Sequence, residues 1–146
     1  MPEKKTLERA RQDLRKGKSA STAAGEFVRE EIEHIREGKH GARSTKQAIA
    51  IGLSKARRAG VPLAPPKKGQ TRERTRKSAE RAYAVGQGDA EPIGRSRKRS
   101  QATTRALKRE PKSTVSKRAL SHQAKQAAAK RRRAGNTSKR RRTSKK

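Results

Sequence analysis

Apolar residues in this chain recur at helical spacing in short runs, and glycine or proline breaks each run. The clearest run is "STKQAIAIGLSKARRAG", residues 44–60, where Ala48, Ile49, Gly52, Leu53 and Ala56 fall on one stripe of a 3.6-residue helix. Ser44 and Gln47 stand at capping-box spacing at its start. Gly60 occupies the place of a left-handed C′ residue, Val61 is its apolar partner, and Pro62 prevents continuation. Upstream, "STAAGEFVREEIEHIREGKHG" sets Ala24, Phe27, Val28, Ile32 and Ile35 on one face. Thr22 or Ser21 is its expected cap, Glu26, Glu30 and Glu31 suit the positive end of the helix dipole, and Gly38 ends it. Neither helix buries its stripe alone. The two are therefore expected to pack as a hairpin joined by "GKHGARS", with a small core of Phe27, Val28, Ile32, Ile35, Ile49, Leu53 and Val61.

Weaker patterns flank the hairpin. "TLERARQDLRK" predicts a short helix ended by Gly17, with Leu7 and Leu14 as its large apolar side chains. After the Pro-rich "VPLAPPKKGQ", three further helical stretches are expected to stop at Gly86, before Pro111 and at Gly135. The last is Ala-rich, with high helix propensity and little to bury. The final "NTSKRRRTSKK" is expected to be disordered.

Composition limits how much of this folds unaided. Only 27% of the residues are hydrophobic, and Phe27 and Tyr83 are the aromatics. Ordering a residue costs roughly 1–2 kcal/mol of backbone entropy, offset mainly by apolar burial at about 25 cal/mol per Å². The predicted fold class is therefore mostly α with extensive disorder: a small helical hairpin head plus a flexible basic tail. The head spans residues 1–62, with the hairpin at about 22–60. A linker with one weak helix spans 63–94, and a disordered or induced-helical tail spans 95–146.

Charge points to the partner. The chain carries 43 Lys+Arg against 13 Asp+Glu, a net +30. The head has 15 basic and 8 acidic residues, and everything after Pro62 has 28 and 5. From Arg95 onward, Glu110 alone opposes 21 basic residues. Such a chain binds polyanions at any physiological pH. The candidate phosphate-binding residues are Arg95, Arg97, Lys98 and Arg99; Lys130, Arg131, Arg132 and Arg133; and Lys139, Arg140, Arg141 and Arg142. Lys46, Lys55, Arg57 and Arg58 of the head join them. Each phosphate neutralised releases condensed counterions, so flexible basic clusters need no shaped site.

The expected activity is nonspecific nucleic-acid binding, to duplex DNA ahead of RNA, by a nucleoid-associated or DNA-compacting protein. Two alternatives stand beside it. One is a plasmid-maintenance or transcriptional regulator that reads DNA with residues 45–59, with Lys46, Gln47, Lys55 and Arg58 facing outward; such units ordinarily have a third helix and a larger core. The other is an RNA-binding or ribosome-associated basic protein, which two aromatics serve poorly as stacking platforms. A membrane partner is not expected, because no helix has the bulky apolar face of an interfacial anchor. Self-association through the head remains open.

No enzyme, metal or cofactor is expected. Cysteine is absent, and "GQGDAEPIG" lacks the lysine and preceding strand of a phosphate loop. His34, His40, Glu30, Glu33 and Glu37 invite a metal or acid–base reading, since Glu30 and His34 share a helix face. Glu33 and Glu37 equally match surface pairs with Arg29 and Arg36. The N-terminus has no apolar signal core and no run reaches the ~20 apolar residues of a membrane span, so the expected location is the cytoplasm.

The stretch "EGKHGARSTKQAIAIGLSKARRAG", with its flanks over about residues 1–85, resembles a family of small basic bacterial proteins of uncharacterised function, some labelled plasmid-stabilisation proteins. That resemblance implies a bacterial protein and brings no catalytic residues; with the charge of the tail, the expected location is the bacterial nucleoid. The tail from Arg95 is similar in composition to linker-histone tails.

Overall fold

The structure, a computed structural model, describes residues 2–92, 94 and 96–143, with side chains described as far as residue 135. The described residues are mostly helical and contain no strand. They form α1 (Lys4–Arg15), α2 (Ala20–Arg36), α3 (Thr45–Arg58), α4 (Glu73–Gln87), α5 (Arg97–Arg109), a 3-10 turn (Ser113–Val115) and α6 (Lys117–Thr143).

Serine caps the two central helices, satisfying N–H groups that a helix start leaves unpaired. Ser44 Oγ accepts from Gln47 N–H at 3.2 Å, and Gln47 Oε1 accepts from Arg43 N–H at 2.7 Å. This is a capping box displaced by one residue. The start of α2 differs from the expected one: Ser19 is its cap, with Oγ accepting from Thr22 N–H at 3.3 Å, in place of Ser21 or Thr22. The earlier start adds Ala20, Ser21 and Thr22 to the helix, whose next residues, Ala23 and Ala24, are both buried. At the other end of α3, Gly60 is left-handed (φ +90°). Its N–H donates to Arg57 O, and Val61 N–H donates to Ala56 O, each at 3.1 Å, in the expected glycine C-cap.

α2 and α3 pack as the expected hairpin. They cross so closely at Gly52 that a Cβ there would lie 2.6 Å from Val28 Cα. One buried cluster on this hairpin gathers Ala10, Ala23, Ala24, Phe27, Ala56 and Val61, with Leu7, Leu14, Leu53 and Leu63 against it, so α1 is part of the core. The second gathers Ile35, Ala42, Ala48 and Val115, with Ile32 against it. Phe27, Ile35 and Val61 are buried as expected, while Val28, Ile32, Ile49 and Leu53 are half-buried. The small residues Ala48, Gly52 and Ala56 take the tight seam instead.

Val115 belongs to the stretch read as tail, yet it is fully buried. Its segment docks on the loop between α2 and α3. Gly41 N–H donates to Leu107 O at 2.8 Å, Ala42 N–H to Pro111 O at 3.2 Å, and Thr114 Oγ1 to Ala42 O at 3.0 Å. Arg36 Nη2 adds a bond to Val115 O at 3.2 Å.

Two helix ends also differ. α4 passes through Gly86, the expected stop, and ends at the left-handed Gly88 (φ +84°). Gly86 is a packing residue, since a Cβ there would overlap Arg57 O. α6 passes Gly135 and continues to Thr143, into the stretch expected to be disordered. A helix-interior glycine costs about 1 kcal/mol relative to alanine, which the surrounding Ala, Lys and Arg tolerate. No described helix is long and apolar enough to cross a membrane.

Candidate nucleic-acid interface

Around α1 and α2, acids pair with bases at the surface. Lys18 meets Asp13 at 2.7 Å, Arg29 meets Glu33 at 3.1 Å, and Lys39 meets Glu37 at 3.0 Å. α4 does the same, with Arg76 held between Glu73 and Glu80. That contact holds the Glu73 carboxyl below its usual range and raises the Arg76 guanidinium above its own.

α5 and α6 are built differently. None of α5 is buried, and it packs against none of the other described helices, being tied down at its C-terminal end through Leu107 O. Arg97, Lys98, Arg99, Arg105, Lys108 and Arg109 are exposed on it. Lys98, Arg105 and Arg109 lie seven and then four residues apart, which places them on one face. On α6, Arg118, Lys125 and Arg132 repeat every seven residues and are exposed, as are Lys130, Arg131 and Arg133. The 27-residue helix is about 40 Å long at 1.5 Å per residue. Lys139, Arg140, Arg141 and Arg142 continue its backbone, with side chains outside the described residues; Arg95 also lies outside them.

The head residues divide. A groove of about 750 Å³ runs between α3 and α5 and is lined by Arg58 and Arg99 together with Gln47, Ser54 and Thr103. Lys46 lies on another side of α3, in a groove of about 490 Å³ shared with Arg74. Lys55 lines the first of these grooves and Arg57 the second, but each is also held by a partner inside the fold. Lys55 Nζ sits 2.6 Å from Glu31 Oε2, a carboxylate only 1% exposed. Arg57 is 8% exposed, with Nε donating to Leu63 O at 3.1 Å and Nη2 to Ala64 O at 3.4 Å. Burial pulls its guanidinium below the usual arginine value. Both find partners within the fold because α3 is central, packed against α2 and α4. Its exposed residues are Lys46, Ala50 and Arg58. Gln47 is half-buried and its carbonyl is used in the cap.

Beyond the residues expected from the sequence, the fold also exposes Arg105, Lys108 and Arg109, and Arg74 beside Lys46. The repeat of basic residues at helical spacing was their signal; only the densest clusters stood out.

Residues 4–68, covering α1 to α3 and the start of the linker, match the model of a family of unknown function (DUF6496). The match ends before α4 and does not include the basic helices. Neither curated proteins nor solved structures give a match.

Proposed function

We propose that the protein binds nucleic acid, duplex DNA first, by phosphate neutralisation through α5 and α6, and acts as a compacting protein of the bacterial nucleoid. The observation that carries this reading is the segregation of charge. The head pairs its acids internally, whereas α5 and α6 present exposed arginines and lysines, a stripe on each helix and the run Lys130–Arg133 around α6, against the single acid Glu110. Counterion release rewards such an array without any shaped pocket. The likeness of the tail's composition to linker histones agrees with this role.

Duplex is favoured over single strands because Phe27 is fully buried and Tyr83 half-buried, which leaves few rings for base stacking. Phosphate contact is favoured over base reading because the would-be recognition helix α3 is flanked by α2 and α4 and uses Gln47 in its own cap. The role is binding, with no catalytic step.

Identification of the nucleic acid that co-purifies with the full chain, resolved by DNase and RNase, tests the reading. DNase-sensitive material of mixed sequence is expected. RNA resistant to DNase, or one enriched DNA sequence, would overturn it.

A further inference from the structure

α2 buries two adjacent carboxylates, Glu30 and Glu31, at 4% and 1% exposure. Taking such charges out of water costs several kcal/mol each unless they are compensated. The ammonium of Lys55 lies 2.6 Å from Glu31 Oε2 but 4.0 Å from Glu30 Oε1. Glu30 Oε1 is buried with no hydrogen-bond partner, and its sister oxygen accepts only weakly from Glu3 N–H at 3.3 Å. Two buried negative charges thus face one lysine.

The other side of Glu31 meets imidazole. Glu31 Oε1 is 3.2 Å from His40 Nε2. Nδ1 of the same ring is 3.0 Å from the Gly41 carbonyl, which only accepts, so Nδ1 carries a proton. In the neutral ring, Nε2 therefore points a lone pair at a carboxylate oxygen, and a cation belongs between them. His34, three residues after Glu31 on the same helix, brings a second ring, 6.5 Å from His40 between centroids and nearly perpendicular to it. One donor atom from each of Glu31, His34 and His40 lies within 4.8 Å of the others. Glu3 Oε1 holds the His34 ring at 3.0 Å from Nε2. Rings held by a carboxylate and a backbone carbonyl are the usual outer support of metal-binding histidines.

We propose that Glu31, His34 and His40 bind one divalent transition-metal ion of the zinc class. Two imidazoles and a carboxylate suit zinc, which takes such donors at about 2.0–2.2 Å and leaves a fourth position to water. Magnesium and calcium prefer sets made wholly of oxygen. The ion supplies the positive charge that Lys55 does not, and Lys55 keeps its bond to Oε2, orienting the carboxylate. The sequence had paired Glu30 with His34; the fold turns Glu31 to the histidines and leaves Glu30 beside Lys55. His40 precedes Gly41 and Ala42, whose N–H groups hold Leu107 O and Pro111 O. The ion therefore fixes the loop on which the segment leading to Val115 docks.

The test is zinc titration of the full chain, stripped by chelation, against a chromophoric chelator in about 0.15 M salt, where long-range repulsion from the basic surface is screened. One zinc per chain is expected, bound at least about tenfold more weakly by His34→Gln and by His40→Gln. His122→Gln, on exposed α6, should bind as the natural chain does. Zinc should also shift the ring nitrogen resonances of His34 and His40, leaving those of His122 in place. Equal affinity in the natural chain and a folded His40→Gln would overturn the site. So would a His40 ring doubly protonated at neutral pH and unmoved by zinc, which would make the contact with Glu31 a proton-borne ion pair.

Discussion

Arg57 shows how one residue changes role once its neighbours are known. Its guanidinium ties the linker to α3 through Leu63 O and Ala64 O, so it holds the fold. Hydrogen bonds from charged donors contribute about 1.5–3 kcal/mol. Arg57→Ala should therefore cost about 2–3 kcal/mol in urea denaturation and leave DNA affinity nearly unchanged in the folded chain. An affinity loss matching that of a tail variant would return Arg57 to the interface. Gly52 is the opposite case, a residue whose value is its missing side chain. Gly52→Ala would press a methyl group against Val28 Cα at 2.6 Å and should destabilise by about 1–3 kcal/mol, the usual scale of overpacking. Ser44→Ala, which removes only the cap bond to Gln47, should cost about 1 kcal/mol. A larger loss for Ser44 than for Gly52 would contradict this ordering.

Among the elements, the α2–α3 hairpin was legible because its signals are local: the Ser44 cap, the Gly60 and Val61 stop and the spacing of Phe27 and Ile35 all lie within a few turns. α1 was visible as a helix, but its packing was not, since Leu7 and Leu14 alone do not say which face they cover. The docking of Val115 was not legible either. One valine among lysines and serines has no period, and its partners Ile35, Ala42 and Ala48 lie far upstream. For the same reason the basic clusters could be read from composition, while the bonds that hold Lys55 to Glu31 and Arg57 to the linker depended on where α2 and the linker pack. Val115→Asp should release the docked segment by placing an unpaired charge in an apolar cluster. Amide exchange at Gly41 and Ala42 should then speed up, with Phe27 and its surroundings unaffected. Unchanged protection at Gly41 would show that the segment is not held there. A truncated chain meant to isolate the head should accordingly end after Ser116, because a cut near Ala90 removes Val115 from the core.

Over the whole molecule, a small helical unit with internally paired acids carries two exposed cationic helices. These helices are proposed to bind duplex by neutralising phosphates. The affinity of the full chain for a random duplex, followed by fluorescence anisotropy as salt is raised, tests this most directly. Log K should fall linearly with log salt at about −0.9 per phosphate engaged, so 6–10 contacts would cost roughly 10³–10⁵ in affinity between 50 and 200 mM. Changing Lys130, Arg131, Arg132 and Arg133 together to Gln should make the slope shallower by up to about 3.6, four contacts at 0.9 each. All duplex sequences should weaken about equally. An affinity that does not respond to salt, or a slope untouched by the four substitutions, would contradict the account.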